Sequence, residues 1–291
     1  MLSIVICSIS PERLQQVSQN IHDTIGVEHE IIAIDNREKK WAIARAYNEG
    51  ARQARYPYLF FVHEDVKFHT QGWGKFMEDK LSEPDCGAIG FAGSKVKLKA
   101  YSGWPQFTSW GNALLYQGGV ENTKLEVINV TLERPFEEVV VLDGLGLFVP
   151  QKVWSLYPFD EEILTGFHCY DLDFTLQIAA GKQYKNYVCC SPEVLIEHSS
   201  QGLYTRVWYQ ETIRLHKQKW NAILPLKIDS LILSDKKLRR FEERCFNTFL
   251  RDLLKTDYPE RRMVLKEFLA YPFSWKHFGH CISGIYRYLF K

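Results

Sequence analysis

The chain has almost no net charge: 36 lysines and arginines face 35 aspartates and glutamates, leaving +1 over 291 residues. That balance offers no basic field to draw in a phosphodiester backbone, and no lysine or arginine run lies along one face, so no nucleic-acid partner is expected. The seven cysteines contain no CxxC pair and sit mostly in apolar stretches such as Ile6-Cys7-Ser8 and Val188-Cys189-Cys190. They read as reduced core residues of a cytoplasmic protein, not as a zinc site or a disulfide framework. No apolar run approaches the roughly 20 residues of a spanning helix. The apolar residues 2–9 follow no basic segment and precede no small-residue cleavage signal, so they read as a buried first strand. Without secretion, the Asn129-Val130-Thr131 sequon stays unmodified. GxGxxG, GxxxxGK(S/T) and GxSxG are all missing, and with them the usual signatures of dinucleotide binding, P-loop hydrolysis and serine-hydrolase chemistry.

What is present is an alternation of strand and helix signals. After the first strand, Ser10-Pro11 supplies an N-cap and a proline at the first helical position, predicting a helix to about Ile25. Residues 30–35 form a second apolar run ending in Asp35, residues 43–54 have helical character, and residues 58–62 form a third strand ending in His63-Glu64-Asp65. This order implies parallel pairing with right-handed crossovers, and in such sheets ligands bind beyond the carboxyl ends of the strands. Further elements are expected at 72–81 (helix), 86–91 (strand), 139–142 (strand) and 171–180 (helix, closed by Gly181). Residues 94–138 read as loops and hairpins over a cleft. From about Leu203 the chain is helix-rich, which divides it into an α/β domain at 1–205 and a helical extension at 206–291. Aromatic residues make up 14% of the chain and suit stacking surfaces as well as core.

Three places could carry chemistry. His63-Glu64-Asp65 offers imidazole and carboxylate oxygens at the mouth of a strand, where Mg2+ or Mn2+ can be held against two phosphates. Asp35-Asn36 ends the second strand, where an acid can accept hydrogen bonds from a base or ribose, although turn chemistry explains the pair equally well. Asp171-Leu172-Asp173 opens a helix; either carboxylate could take a proton from a hydroxyl, or both could simply cap the first turn, and the choice between them stays open. His198, after an apolar run, is a third ligand or phosphate contact if it is not structural.

Taken in order, Ile34-Asp35-Asn36, residues 44–50 (ARAYNEG), Phe61-Val62-His63-Glu64-Asp65-Val66, Leu142-Asp143-Gly144 and residues 166–173 (GFHCYDLD) resemble the family 2-type glycosyltransferases with the GT-A fold. The likeness is greatest to the branch typified by a glycosyltransferase of streptomycin biosynthesis. The resemblance implies a Rossmann-like mixed sheet flanked by helices, and transfer of a sugar from a nucleoside-diphosphate donor to a hydroxyl of a saccharide or glycoconjugate acceptor, with inversion. It places His63-Glu64-Asp65 on the family's DxD motif, with Asp65 as the metal-binding acid and His63 in place of the first acid; His198 resembles a late histidine that contacts metal or diphosphate. Asp35 and the segment around Arg45 and Asn48 match the nucleotide pocket, and Ser8, Asn36, Glu64, Asp143 and Gly144 join the donor side. Asp171 matches the catalytic base, while Tyr170 stands where the family has a glutamate. Trp104, Trp110, Tyr170 and Asp173 are acceptor-side candidates. The departures at His63 and Tyr170 also admit a second reading, a nucleotide-sugar-binding module that has lost its chemistry. Residues 273–291 interleave aromatic and basic side chains, so the tail either rests on the inner face of a membrane or docks as a helix.

Overall fold

The computed structural model describes residues 1–104, 107–118, 123–131, 133–200, 204–271 and 274–290. β1 (Leu2–Ser8) is buried along nearly its whole length, as a strand paired on both edges and covered on both faces must be. The Ser10 side chain accepts from the Arg13 amide and Pro11 opens α1 (Pro11–Thr24). β2 (His29–Asp35), α2 (Ile43–Gln53) and β3 (Tyr58–Val62) follow. β1 pairs parallel with both β2 and β3, so Ser8, Asp35 and the residues after Val62 gather at one sheet edge.

The chain continues through β4 (Val66–Phe68), α3 (Trp73–Leu81), β5 (Cys86–Gly90), β6 (Ala92–Ser94), β7 (Val96–Lys97) and β8 (Gly111–Gln117). Next come β9 (Lys124–Ile128), β10 (Phe136–Val139), β11 (Val141–Leu142), β12 (Gly146–Pro150), α4 (Gln151–Leu156) and α5 (Tyr170–Gly181). β13 (Lys185–Cys189), β14 (Ile196–His198), α6 (Arg206–Leu215), β15 (Leu226–Lys227), α7 (Asp235–Leu253), α8 (Arg261–Leu269) and α9 (Trp275–Phe290) complete it. A seven-stranded mixed sheet runs β10-β13-β5-β12-β3-β1-β2, and a six-stranded sheet runs β11-β6-β8-β14-β4 with β9 on β8.

Alternation along the strands divides the interior in two. Val5 and Phe61 face Tyr47 and Phe174 on one side of the large sheet, whereas Ile4, Ile6 and Phe60 face Val17, Ile21 and Trp73 on the other. A third core joins β7 to α6, α7 and α8 through Val96, Tyr209, Ile213, Phe249 and Phe268. The boundary expected after residue 205 falls inside packed structure: Leu215, Trp220, Leu224 and Ile228 belong to the first core, and β15 pairs with β7. Lys97, fully buried on β7, ties the two halves together. Its ammonium donates to Ser102 Oγ (2.9 Å) and His216 Nε2 (2.8 Å), while His216 Nδ1 donates to the Thr212 carbonyl (2.7 Å). Burial lowers the Lys97 pKa to about 8.

The region read as loops and hairpins holds the antiparallel pair β8 and β9, with β8 buried over its first five residues. One local expectation changes. Gly181 ends α5 instead of following it, and Lys182 takes the left-handed position at φ 57°. A Cβ on Gly181 would come within 2.2 Å of the Tyr157 hydroxyl, so a close approach and not a turn requires glycine there.

Candidate functional site

After β3 the chain turns through His63-Glu64-Asp65 into β4, and β4 pairs antiparallel with β14 so that His198 sits opposite Val66. The Ser199 amide donates to the Asp65 carbonyl at 3.0 Å and closes that corner. One ligand atom from each of His63, Asp65 and His198 lies within 4.8 Å of the others. His198 Nε2 stands 3.6 Å from Asp65 Oδ1, is buried, and has no hydrogen-bond partner among the described residues. A buried imidazole nitrogen left open toward a carboxylate and a second imidazole fits a metal ligand.

His63 is oriented from behind. Its Nε2 lies 2.6 Å from the Tyr170 hydroxyl oxygen, and that hydroxyl donates to the Gly144 carbonyl at 2.8 Å. The hydroxyl has one proton to give, so His63 donates from Nε2 and keeps its lone pair on Nδ1, the nitrogen 3.9 Å from Asp65 Oδ1. Burial, then the neighbouring His198, pulls the His63 pKa down to about 4, which keeps the ring neutral as ligation needs.

Asp143 and Gly144 form the turn between β11 and β12. Asp143 Oδ1 accepts from the Leu145 amide (3.0 Å) and Oδ2 from Trp104 Nε1 (2.5 Å). Facing this turn is the start of α5, reached through Cys169 in a left-handed conformation at φ 66°. Gly144 has no room for a side chain, since a Cβ would fall 2.2 Å from the Tyr170 hydroxyl. Burial and then the Asp143 charge push the Asp171 pKa up to about 7, against backbone amides of Leu172 and Gly144 that favour the carboxylate.

Two hollows meet at the imidazoles. The larger, about 770 Å3, is lined by Cys7, Asn36, Arg37, Trp41, Glu64 and Thr165 among others. The smaller, about 220 Å3, is lined by Trp104, Asp143, His168, Asp171, Tyr204 and Trp208 among others. His63, His198, Phe167 and Ser200 border both.

The structure therefore brings His63, Asp65, His198, Asp143, Gly144, Tyr170, Asp171 and Trp104 together, with Asn36 and Glu64 on the larger hollow. Asn36 clasps the following loop by bonding the Trp41 carbonyl (2.9 Å) and amide (2.8 Å). Arg45 stacks on the Trp41 ring at 4.4 Å. Ser8 is taken up by Glu64, whose Oε2 accepts from Ser8 Oγ (2.6 Å) and from the amides of Ile9 and Ser10 (3.2 Å each), so this pair shapes the β1–α1 loop. Asp35 is exposed and held by Arg37 through its side chain and amide, which lowers its pKa to about 2.

Three expected contacts lie elsewhere, and a fourth stays at the site in another role. Asn48 is buried; its amide group serves the Phe159 carbonyl and amide, Glu161 and Trp154, and so fixes the chain after α4. Trp110 is buried against Phe107 and Phe241, with no face left for a sugar. Asp173 is fully buried and pairs with Lys219 Nζ (2.9 Å) and Trp220 Nε1 (2.8 Å). Tyr170 is buried too and uses its hydroxyl on His63, not its ring on an acceptor. Sequence reasoning missed Trp41, Phe167, His168, Tyr204 and Trp208 as lining residues. His168 and Phe167 stood inside a quoted motif, but nothing local in the sequence links Tyr204 or Trp208 to a hollow formed by β3 and α5.

The model of the glycosyltransferase-like family matches residues 3–218, more than half of the chain. The structure of S. aureus TarS 1-349 in complex with UDP is similar over 98% of this chain and 80% of that one, with a TM-score of 0.52 and 12% identity. A second S. aureus TarS structure matches 98% of this chain and 54% of its own length, at a TM-score of 0.50 and 13% identity. GalNAc-T7 with UDP, GalNAc and Mn2+ is similar over 89% of this chain and 58% of that chain, at 0.51 and 12%. Identities this low speak for a shared fold alone. No curated protein sequence matches the chain.

Proposed function

The chain belongs to the glycosyltransferase-like family, with the GT-A fold, and from that premise we propose an inverting, metal-dependent transfer from a nucleoside-diphosphate sugar to a hydroxyl of a saccharide or glycoconjugate. The observation that carries this reading is the His63, Asp65, His198 cluster standing where a large and a small hollow meet, with Asp171 lining the small one.

The larger hollow takes the nucleotide: Trp41 offers a ring for the base, held by Asn36 and flanked by Arg45, while Arg37 lies within reach of phosphate or ribose. Asp65, His198 Nε2 and His63 Nδ1 would hold the divalent ion, and a set with two imidazoles suits Mn2+ better than Mg2+. Bound there, such an ion would neutralise the departing diphosphate. The smaller hollow takes the acceptor, and Trp104, its indole fixed on Asp143, lies along it for the apolar face of a sugar. Asp171 removes the acceptor hydroxyl's proton; a carboxylate raised toward neutral pH is matched to that task. Attack from the acceptor side, with the leaving group on the donor side, inverts the anomeric carbon. The motif order keeps the streptomycin-biosynthesis-type branch as the finer reading, and seven free cysteines, five of them buried, favour the cytoplasm.

Thermal melting against a panel of nucleoside diphosphates and sugar nucleotides, with and without Mn2+, tests it. A donor that raises the melting temperature only with Mn2+, and is then turned over, is the expected outcome. Binding without any turnover, to acceptor or to water, would leave only the non-catalytic reading.

A further inference from the structure

We propose that α9 lies along an anionic membrane surface and carries the enzyme there as a peripheral protein. One side of α9 is packed: His277 and Gly284 are buried, Cys281 and Tyr288 half-buried, and the helix sits on α7 and α8. The opposite side is an unbroken stripe of Trp275, Phe278, Ile282, Tyr286, Leu289 and Phe290, with Trp275 81% and Phe290 68% exposed. Spacings of three, four, four, three and one place these side chains within one arc of the helix. Such a stripe on a folded, otherwise charged protein marks a contact surface.

Charge selects the occupant. α9 contains no aspartate or glutamate, and its polar positions carry Lys276, His277, His280 and Arg287. Residues 235–291 hold thirteen lysines and arginines against seven acids, in a chain whose total is only +1, so the basic excess is concentrated in this helical unit. Three of those acids are engaged internally: Glu242 bonds Tyr271 and the Lys99 amide, Glu243 bonds His280, and Glu267 bonds Lys217 and Tyr101, while Asp252 pairs with Arg251 and Lys255 and Asp257 with Arg206. Lys276, Arg262 and Lys266 form no ion pair among the described residues, so their charge is free to act outward. An apolar face with aromatic residues beside uncompensated cations is the chemistry of an interfacial helix, and no helix among the described residues is long and apolar enough to cross a bilayer. A second copy of this chain would bring the same cations to the same stripe, where they repel.

The test is flotation of the full-length chain with phosphatidylcholine vesicles, with and without phosphatidylglycerol. The chain is expected to float with the anionic vesicles, less so at high salt. Replacing Trp275, Phe278 and Ile282 together by serine should lower the bound fraction roughly tenfold or more. These positions are exposed, so the variant keeps its melting temperature and its stabilisation by nucleotide, and that control separates failure here from failure of the donor reading. Equal flotation of the two proteins, or no flotation of the natural chain, would overturn the proposal. A dimer in gel filtration that the serine variant converts to monomer would instead assign the stripe to a second copy.

Discussion

His63 Nε2 lies 2.6 Å from a Tyr170 hydroxyl whose own proton is committed to the Gly144 carbonyl. The pair links a histidine after β3 to the tyrosine beside Asp171. The tyrosine sets the tautomer that the histidine needs. Tyr170→Phe removes this bond and leaves the ring packing, and it should weaken Mn2+ binding by about ten- to a hundredfold in titration calorimetry. Unchanged affinity would reduce Tyr170 to a packing residue.

Asp171→Asn should abolish turnover while leaving nucleotide binding nearly intact. It should also raise the melting temperature at neutral pH by a few degrees, on the order of what 1 kcal/mol gives. The sign follows from the shift. A carboxyl raised from 3.8 to about 7 favours the folded state fully only below its unfolded pKa, and that contribution is lost as pH rises through the folded value. Above pH 7 the buried carboxylate is a cost that asparagine lacks. A melting temperature that falls at pH 8 would contradict this account.

Asp143 is the second cause of the Asp171 shift, after burial. Asp143→Asn keeps one acceptor oxygen for either Trp104 or the Leu145 amide, gives up the other bond and removes the charge. The acid limb of the pH–rate profile, expected near pH 7 in the natural protein, should move to lower pH. A limb that stays in place would detach Asp143 from the proton transfer.

Asp173 should behave in the opposite way to its neighbour. It is fully buried on Lys219 and Trp220, so Asp173→Ala leaves a cation and an indole donor without their partner. The expected loss is on the order of 3 kcal/mol in denaturant unfolding. Near-natural stability with lost activity would move the catalytic role to Asp173.

Much of the fold was legible because each early element announces itself locally. Ser10-Pro11 starts α1, apolar runs with polar ends mark β1 to β3, and the order of those ends fixes one crevice. The gathering of His63, Asp65 and His198 was legible for the same reason: Asp65 and His63 follow a strand, and His198 ends a short one. What sequence could not separate was Asp171 from Asp173. Both sit in one helical turn, and only the arrival of Lys219 and Trp220 from far along the chain takes one of them out of the hollow. Trp104 and Trp110 were equally ambiguous until Asp143 claimed the first and Phe241 the second. Strand β8 was legible only as part of a region of loops and hairpins, because its burial depends on a second sheet.

The buried Lys97 ammonium carries one more implication. Its acceptor His216 comes from beyond the boundary that composition suggested, so shortening the chain after residue 205 would take away one of its partners and leave Ser102 Oγ and the carbonyls of Leu98 and Ala100. The segment from α6 to β15 packs into the first core and onto β7, and so belongs to the foundation of the catalytic half. Calorimetry of the full chain should accordingly record a single melting peak, and any attempt to graft a foreign appendage onto this scaffold has to begin after the β15 pairing with β7.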